Sequence, residues 1–109
     1  MELKDRFLKY VSFDTQSDES STTFPSTDKQ LVLLRYLAEE MRTIGLTDVS
    51  IDEYGYAMGT LPATPGCENA PVLGFIAHVD TAPDMSGKDV KPHIIEEYDG
   101  RDIRLNASL

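Results

Sequence analysis

The run Val72-Leu73-Gly74-Phe75-Ile76-Ala77 breaks without transition into His78-Val79-Asp80-Thr81-Ala82-Pro83-Asp84. Starting at Pro71, the first part is almost wholly apolar, the pattern of a strand covered on both faces, and such strands belong to the centre of a sheet in an α/β protein. The second part brings an imidazole and two carboxylates to the end of that strand. In open α/β sheets the crevice beyond the carboxyl ends of the strands is where ligands bind, so His78 and Asp80 stand where chemistry is done. Residues two apart on an extended chain project to the same side, which places both groups on one face if strand geometry persists to Asp80.

The pattern N-terminal to this run supplies the rest of an α/β unit. Leu3, Phe7, Tyr10 and Val11 fall at helical spacing and predict a short amphipathic helix over about residues 2–12. Asp14 to Ser26 is Ser- and Thr-rich, with Phe24 its only large apolar residue, and reads as a loop. Thr27-Asp28-Lys29-Gln30 matches a capping box with Thr27 as N-cap. Leu31, Leu33, Leu34, Leu37, Ala38, Met41 and Ile44 then form a broad apolar face, and Gly45 supplies the stop. From Asp48 the period drops to two, with Val49 and Ile51 on one side. Gly55 follows, then a second extended run from Tyr56 to Leu61, so a hairpin is predicted. Pro62 to Asn69 is a connecting loop. Beyond the central strand, His93-Ile94-Ile95-Glu96 and Ile103-Arg104-Leu105 flank Asp99-Gly100, which predicts a second hairpin. The fold class is therefore α/β, two N-terminal helices followed by strands of a mixed central sheet.

Length and composition bound what this unit can be. With 109 residues the chain is one small domain or part of one. Its longest apolar runs fall well short of the roughly 20 residues that cross a bilayer. Met1-Glu2-Leu3-Lys4-Asp5-Arg6 has neither the apolar core nor the cleavage site of a secretory signal, so a cytoplasmic location is the default expectation. A net charge of −9 with scattered Lys and Arg disfavours nucleic acid and anionic membranes as partners. The acidic excess reads as a solvated surface. Cys67 is alone in a Pro-Gly-Cys-Glu turn and reads as an incidental thiol. Tyr54 and Tyr56 are packing residues of the hairpin, and His93 reads as structural or surface-lying.

For His78 and Asp80 the spacing fits a specific division of labour. A metal-binding imidazole donates its second ring N–H to a carboxylate or carbonyl, which fixes the tautomer and makes the free nitrogen a better ligand. By spacing alone, a plain hydrogen-bonded pair at a strand end is the commoner explanation of a His-x-Asp triplet.

Four segments, taken in order, carry a resemblance that alters this balance. They are Leu8-Lys9-Tyr10-Val11-Ser12-Phe13-Asp14-Thr15-Gln16-Ser17, Phe24-Pro25-Ser26-Thr27, Gly55-Tyr56-Ala57-Met58-Gly59-Thr60-Leu61-Pro62-Ala63, and His78-Val79-Asp80-Thr81-Ala82-Pro83-Asp84. The chain resembles, over essentially all its residues, the N-terminal part of the peptidase T family, tripeptide aminopeptidases within a superfamily of dinuclear zinc peptidases and deacylases.

The resemblance implies that residues 1–109 are the N-terminal segment of a zinc-peptidase catalytic domain, incomplete as it stands. It implies His78 as ligand of one of two zinc ions and Asp80 as the catalytic-site acid that orients the imidazole. The bridging Asp, the Glu pair with the general base, a further carboxylate ligand and a distant His come later in the family's chain, without counterparts here. A catalytic zinc needs about three protein ligands. The isolated chain is therefore expected to be inactive and to bind zinc weakly. Glu96-Glu97 lacks the family's surrounding motif and reads as a solvated pair. The implied substrate is a tripeptide, and the resemblance leaves room for a homodimer of the complete protein. Two alternatives compete: a sister two-zinc dipeptidase or N-acyl amino acid deacylase, which the opening Tyr10 to Ser17 disfavours, and a non-catalytic α/β binding module.

Overall fold

The computed structural model describes residues 2–105. In order it contains helix α1 (Leu3–Tyr10), helix α2 (Gln30–Thr43) and strands β1 (Thr47–Ile51) and β2 (Ala57–Thr60). The architecture is α/β, with two helices and one small antiparallel sheet.

Helix α2 and the β1–β2 hairpin form the packed part. Of the apolar face read from the sequence, Leu33, Leu34 and Ala38 are buried, retaining 3–6% of their accessible surface, whereas Leu31, Leu37 and Met41 are half-buried and Ile44, at the helix end, is 51% exposed. Gly45 ends the helix as expected. It adopts φ +96°, its N–H donates to the Arg42 carbonyl at 3.1 Å, and the Leu46 N–H donates to the Met41 carbonyl at 3.0 Å. This pair of bonds satisfies the last carbonyls of the helix and turns the chain directly into β1. The strands pair Thr47 with Thr60, Ser50 with Met58 and Ile51 with Ala57, with an irregularity near Asp48 at φ +51°.

Asp52 closes the hairpin by accepting the N–H groups of Tyr54 and Tyr56 at 3.0 and 2.8 Å. Gly55 at φ +84° is required there twice over. A side chain would be strained by that dihedral, and its Cβ would stand 3.1 Å from Cδ of Pro25.

Helix α1 lies across the start of this unit and is held mainly at its edge. Tyr10 donates to the Glu40 carboxylate, Arg6 pairs with Glu40 at 3.5 Å, and the Tyr10 and Phe13 rings pack on Tyr36. Its apolar stripe is otherwise open, with Leu3 at 84% and Phe7 at 60% exposure.

Three local expectations are corrected. Thr27 is not the helix N-cap. Lys29 occupies that position without a side-chain cap, because the Thr27 hydroxyl donates instead to the Gln16 carbonyl at 2.9 Å. The Gln30 amide bonds Ser26 and Thr27 hydroxyls, each at 3.0 Å, rather than closing the capping box.

Pro71 to Ala77 is not a central strand among the described residues: it has no partner, and Val72, Phe75 and Ile76 are 95–100% exposed. Among the described residues the segments around Asp99-Gly100 form no hairpin either, although Gly100 adopts φ +86° as a tight turn requires. A doubly covered strand needs neighbours for its N–H and C=O groups and a layer on each face, and among the described residues the β1–β2 pair is the one sheet; a hairpin with no layer to pack against is marginal by itself. The radius of gyration of 17.6 Å, against about 13 Å for a compact chain of this length, reflects the same lack of partners.

Candidate metal centre

The segment after the apolar run is held by the loop that follows α1. Gln16 and Thr81 form a parallel bridge. The Thr81 N–H donates to the Thr15 carbonyl at 3.1 Å, and the Ser17 N–H donates to the Thr81 carbonyl at 2.9 Å. Side chains extend the pairing. The Thr15 hydroxyl donates to the Val79 carbonyl at 2.8 Å, the Gln16 amide to the Pro83 carbonyl at 2.7 Å, and the Ser17 hydroxyl to the Thr81 carbonyl at 3.0 Å.

On that scaffold the two residues singled out from sequence meet. His78 Nδ1 lies 3.0 Å from Asp80 Oδ1 and 3.0 Å from the Asp80 backbone carbonyl. Both the carboxylate and the carbonyl accept hydrogen bonds, so Nδ1 carries the hydrogen, and in the neutral imidazole Nε2 is then the nitrogen with the lone pair. The imidazole is 86% exposed and the carboxylate 41%. This is the arrangement a metal-ligating histidine uses, with one nitrogen oriented by a carboxylate and the other open.

The other sequence candidates stay apart from it. Glu96 pairs with Lys4 at 3.9 Å and is largely solvated, as expected for a surface acid. His93 lines a separate shallow cavity with Tyr98 and Asp99. Cys67 is an exposed free thiol. Among the described residues no group of three or more His, Cys, Asp or Glu comes together. The donor chemistry thus fits one ligand of a zinc site with its outer carboxylate, and the further ligands that a zinc ion requires are not in this set.

Beside the pair lies an apolar cavity of about 650 Å³, walled by Phe7, Val11, Phe13, Leu37, Val79 and Met85, with His78 on its margin. Asp14 anchors the holding loop from behind. Its carboxylate takes the Lys29 ammonium at 3.0 Å and the Gln16 N–H at 3.2 Å, and these two donors, the ammonium first, hold its pKa below the usual carboxylate range.

Comparison with curated proteins gives extensive matches, although no family model matches the chain. It is 60% identical over 105 residues, 96% of its length, to peptidase T of Clostridium acetobutylicum. It is 57% identical over 102 residues to that of Caldanaerobacter subterraneus, and 53% identical over 108 residues to that of Bacillus velezensis. The chain belongs to the peptidase T family. It spans about a quarter of the length of these peptidase T relatives, 25–26% of each.

Within this peptidase T sequence, Thr15 and Gln16 are the site residues that reading by residue type missed. Composition marks Asp14 to Ser26 as an ordinary polar loop. The one available signal was the family resemblance of Phe13-Asp14-Thr15-Gln16-Ser17, which gave no role to any of these side chains.

Among the described residues, no helix is long and apolar enough to cross a membrane.

Proposed function

We propose that these residues form the N-terminal part of a cytoplasmic, zinc-dependent aminopeptidase that removes the first residue from tripeptides. The observation that carries this reading is the His78 imidazole, its Nδ1–H held by Asp80 and its Nε2 open, set in a peptidase T sequence. His78 is the ligand of one of two zinc ions, and Asp80 fixes the ring's tautomer and direction and makes Nε2 more electron-rich. Bound zinc polarises a peptide carbonyl and lowers the pKa of a coordinated water. This chain's residues supply the ligand nitrogen and its orientation. The other ligands and the general base belong to the remaining length of the complete enzyme.

By itself the chain is inactive, because one imidazole lacks the chelate gain shared by three or four preorganised ligands. The test uses the complete polypeptide carrying this sequence, with zinc content and tripeptide turnover measured together. His78→Ala is expected to lose bound zinc and turnover. Asp80→Ala is expected to weaken zinc affinity and turnover by about 10- to 100-fold with an unchanged circular dichroism spectrum. Zinc content and turnover untouched by His78→Ala would overturn the assignment. Faster turnover of dipeptides or N-acyl amino acids than of tripeptides would transfer the substrate assignment to the sister families.

A further inference from the structure

The His78–Asp80 pair poses a structural question. Both residues lie in a segment without helix or strand, and the imidazole is almost fully exposed, yet a metal ligand has to be aimed to within a fraction of an ångström. The aim of the pair depends on Asp80, which presents both its carboxylate and its backbone carbonyl to His78 Nδ1. Those two directions follow from the two peptide planes on either side of the Asp80 Cα.

Both planes are held by a single residue. The plane joining Val79 to Asp80 is fixed through the Val79 carbonyl, which accepts the Thr15 hydroxyl at 2.8 Å. The plane joining Asp80 to Thr81 is fixed through the Thr81 N–H, which donates to the Thr15 carbonyl at 3.1 Å. Thr15 is only 2% exposed, so its hydroxyl makes this bond shielded from competing water. Gln16 secures the far end of the segment by its 2.7 Å bond to the Pro83 carbonyl.

The holding loop is itself tied to the best-packed element. Thr27, just before α2, donates to the Gln16 carbonyl at 2.9 Å, and Lys29 pairs with Asp14 at 3.0 Å. Gly87 lets its own segment close over this junction. A Cβ there would stand 3.2 Å from the Thr81 hydroxyl and 3.3 Å from an Asp14 carboxylate oxygen.

We propose that Thr15 and Gln16 are positioning residues: they clamp the backbone on both sides of Asp80, and so aim the His78–Asp80 pair at its metal. This role rests on the zinc reading above. It also gives a task to the Asp14-Thr15-Gln16-Ser17 segment that the metal ligands alone leave unexplained.

The experiment measures zinc affinity by chelator competition in the complete enzyme, with thermal unfolding followed in parallel. Thr15→Val keeps the shape of the side chain and the backbone bond but removes the hydroxyl. It is expected to weaken zinc binding about tenfold, the scale typical of groups that support a metal ligand. Thr15→Ser, which restores the donor, is expected to recover affinity to within about twofold of the parent on that same scale. Gln16→Met, at a half-buried position, is expected to weaken zinc binding by a smaller factor, about threefold.

A merely structural threonine would lower the unfolding temperature in Thr15→Val and leave the affinity of the folded enzyme unchanged. That result, or a Thr15→Ser enzyme as impaired as Thr15→Val, overturns the clamp. If Thr15→Val does not fold, Gln16→Met decides, and parental affinity there overturns the proposal. His78→Ala separates the two ideas: if it retains zinc, the zinc reading itself fails. If it loses zinc while the Thr15 and Gln16 variants keep it, only the clamp fails.

Discussion

Residues 71–77 are more uniformly apolar than residues 30–60, yet among the described residues it is the second region, 30–60, that buries part of its apolar face. Helix α2 ends at Thr43 and β1 begins at Thr47, while β1 and β2 are joined by a five-residue turn, so each element finds its partner within a few residues. Such contacts close with little loss of chain entropy. Pro71 to Ala77 is richer in apolar residues than either strand, but it meets no partner among the described residues, and Ile76 stands 100% exposed. Hydrophobic pattern announces burial, and only an available neighbour delivers it.

The sharpest test of this contrast is a pair of truncations in the 109-residue chain. Leu34→Ala, at a site 6% exposed, is expected to cost about 2–4 kcal/mol in urea unfolding. Phe75→Ala, at a site 95% exposed, is expected to stay within about 0.5 kcal/mol of the parent despite removing the larger side chain. A large cost at Phe75 would break the contrast by showing that the run packs.

A smaller effect probes the hairpin's local closure. Gly55→Ala puts a Cβ at φ +84° and 3.1 Å from Pro25, and is expected to destabilise by about 1 kcal/mol in the same unfolding assay. Parental stability would mean that the hairpin does not depend on the close approach of Pro25.

A pH-dependent effect lies at the edge contact of α1. Burial, reinforced by the hydrogen bond to Glu40 and its charge, raises the Tyr10 pKa from 10.0 to about 12. The folded state therefore holds this proton more tightly than the unfolded state. The contribution is fully present below pH 10 and is lost as pH rises towards 12. Unfolding measured from pH 8 to 12 is expected to show a fall that Tyr10→Phe reduces. An identical fall in both proteins would remove the α1–α2 edge from the account.

What was legible in the sequence follows the same division. The Leu33, Leu34 and Ala38 stripe, the Gly45 stop and the turn at Gly55 depend on local periodicity and dihedral preference, and the structure realises them. His78 and Asp80 were legible as a pair because two-residue spacing needs no distant information. Which ring nitrogen faces Asp80 came from the structure, where both the Asp80 carboxylate and its backbone carbonyl lie against Nδ1.

Thr27 departs from its local motif for the opposite reason. Its motif suits an N-cap, but the Gln16 carbonyl, eleven residues away, competes for the same hydroxyl. The loop from Asp14 to Ser17 was invisible as a site element, because the bonds by which Thr15, Gln16 and Ser17 hold residues 79–83 span more than sixty positions of chain.

The sequence by itself thus determined the helices, the first hairpin, the imidazole–carboxylate pair and, through its identity to peptidase T relatives, the family. The tertiary structure alone decided that Thr15 and Gln16 hold that pair, and that the apolar run before it stays bare. Short-range preferences are written in neighbouring residues, whereas a buried hydroxyl's choice of carbonyl and a strand's burial depend on what the rest of the chain brings within reach.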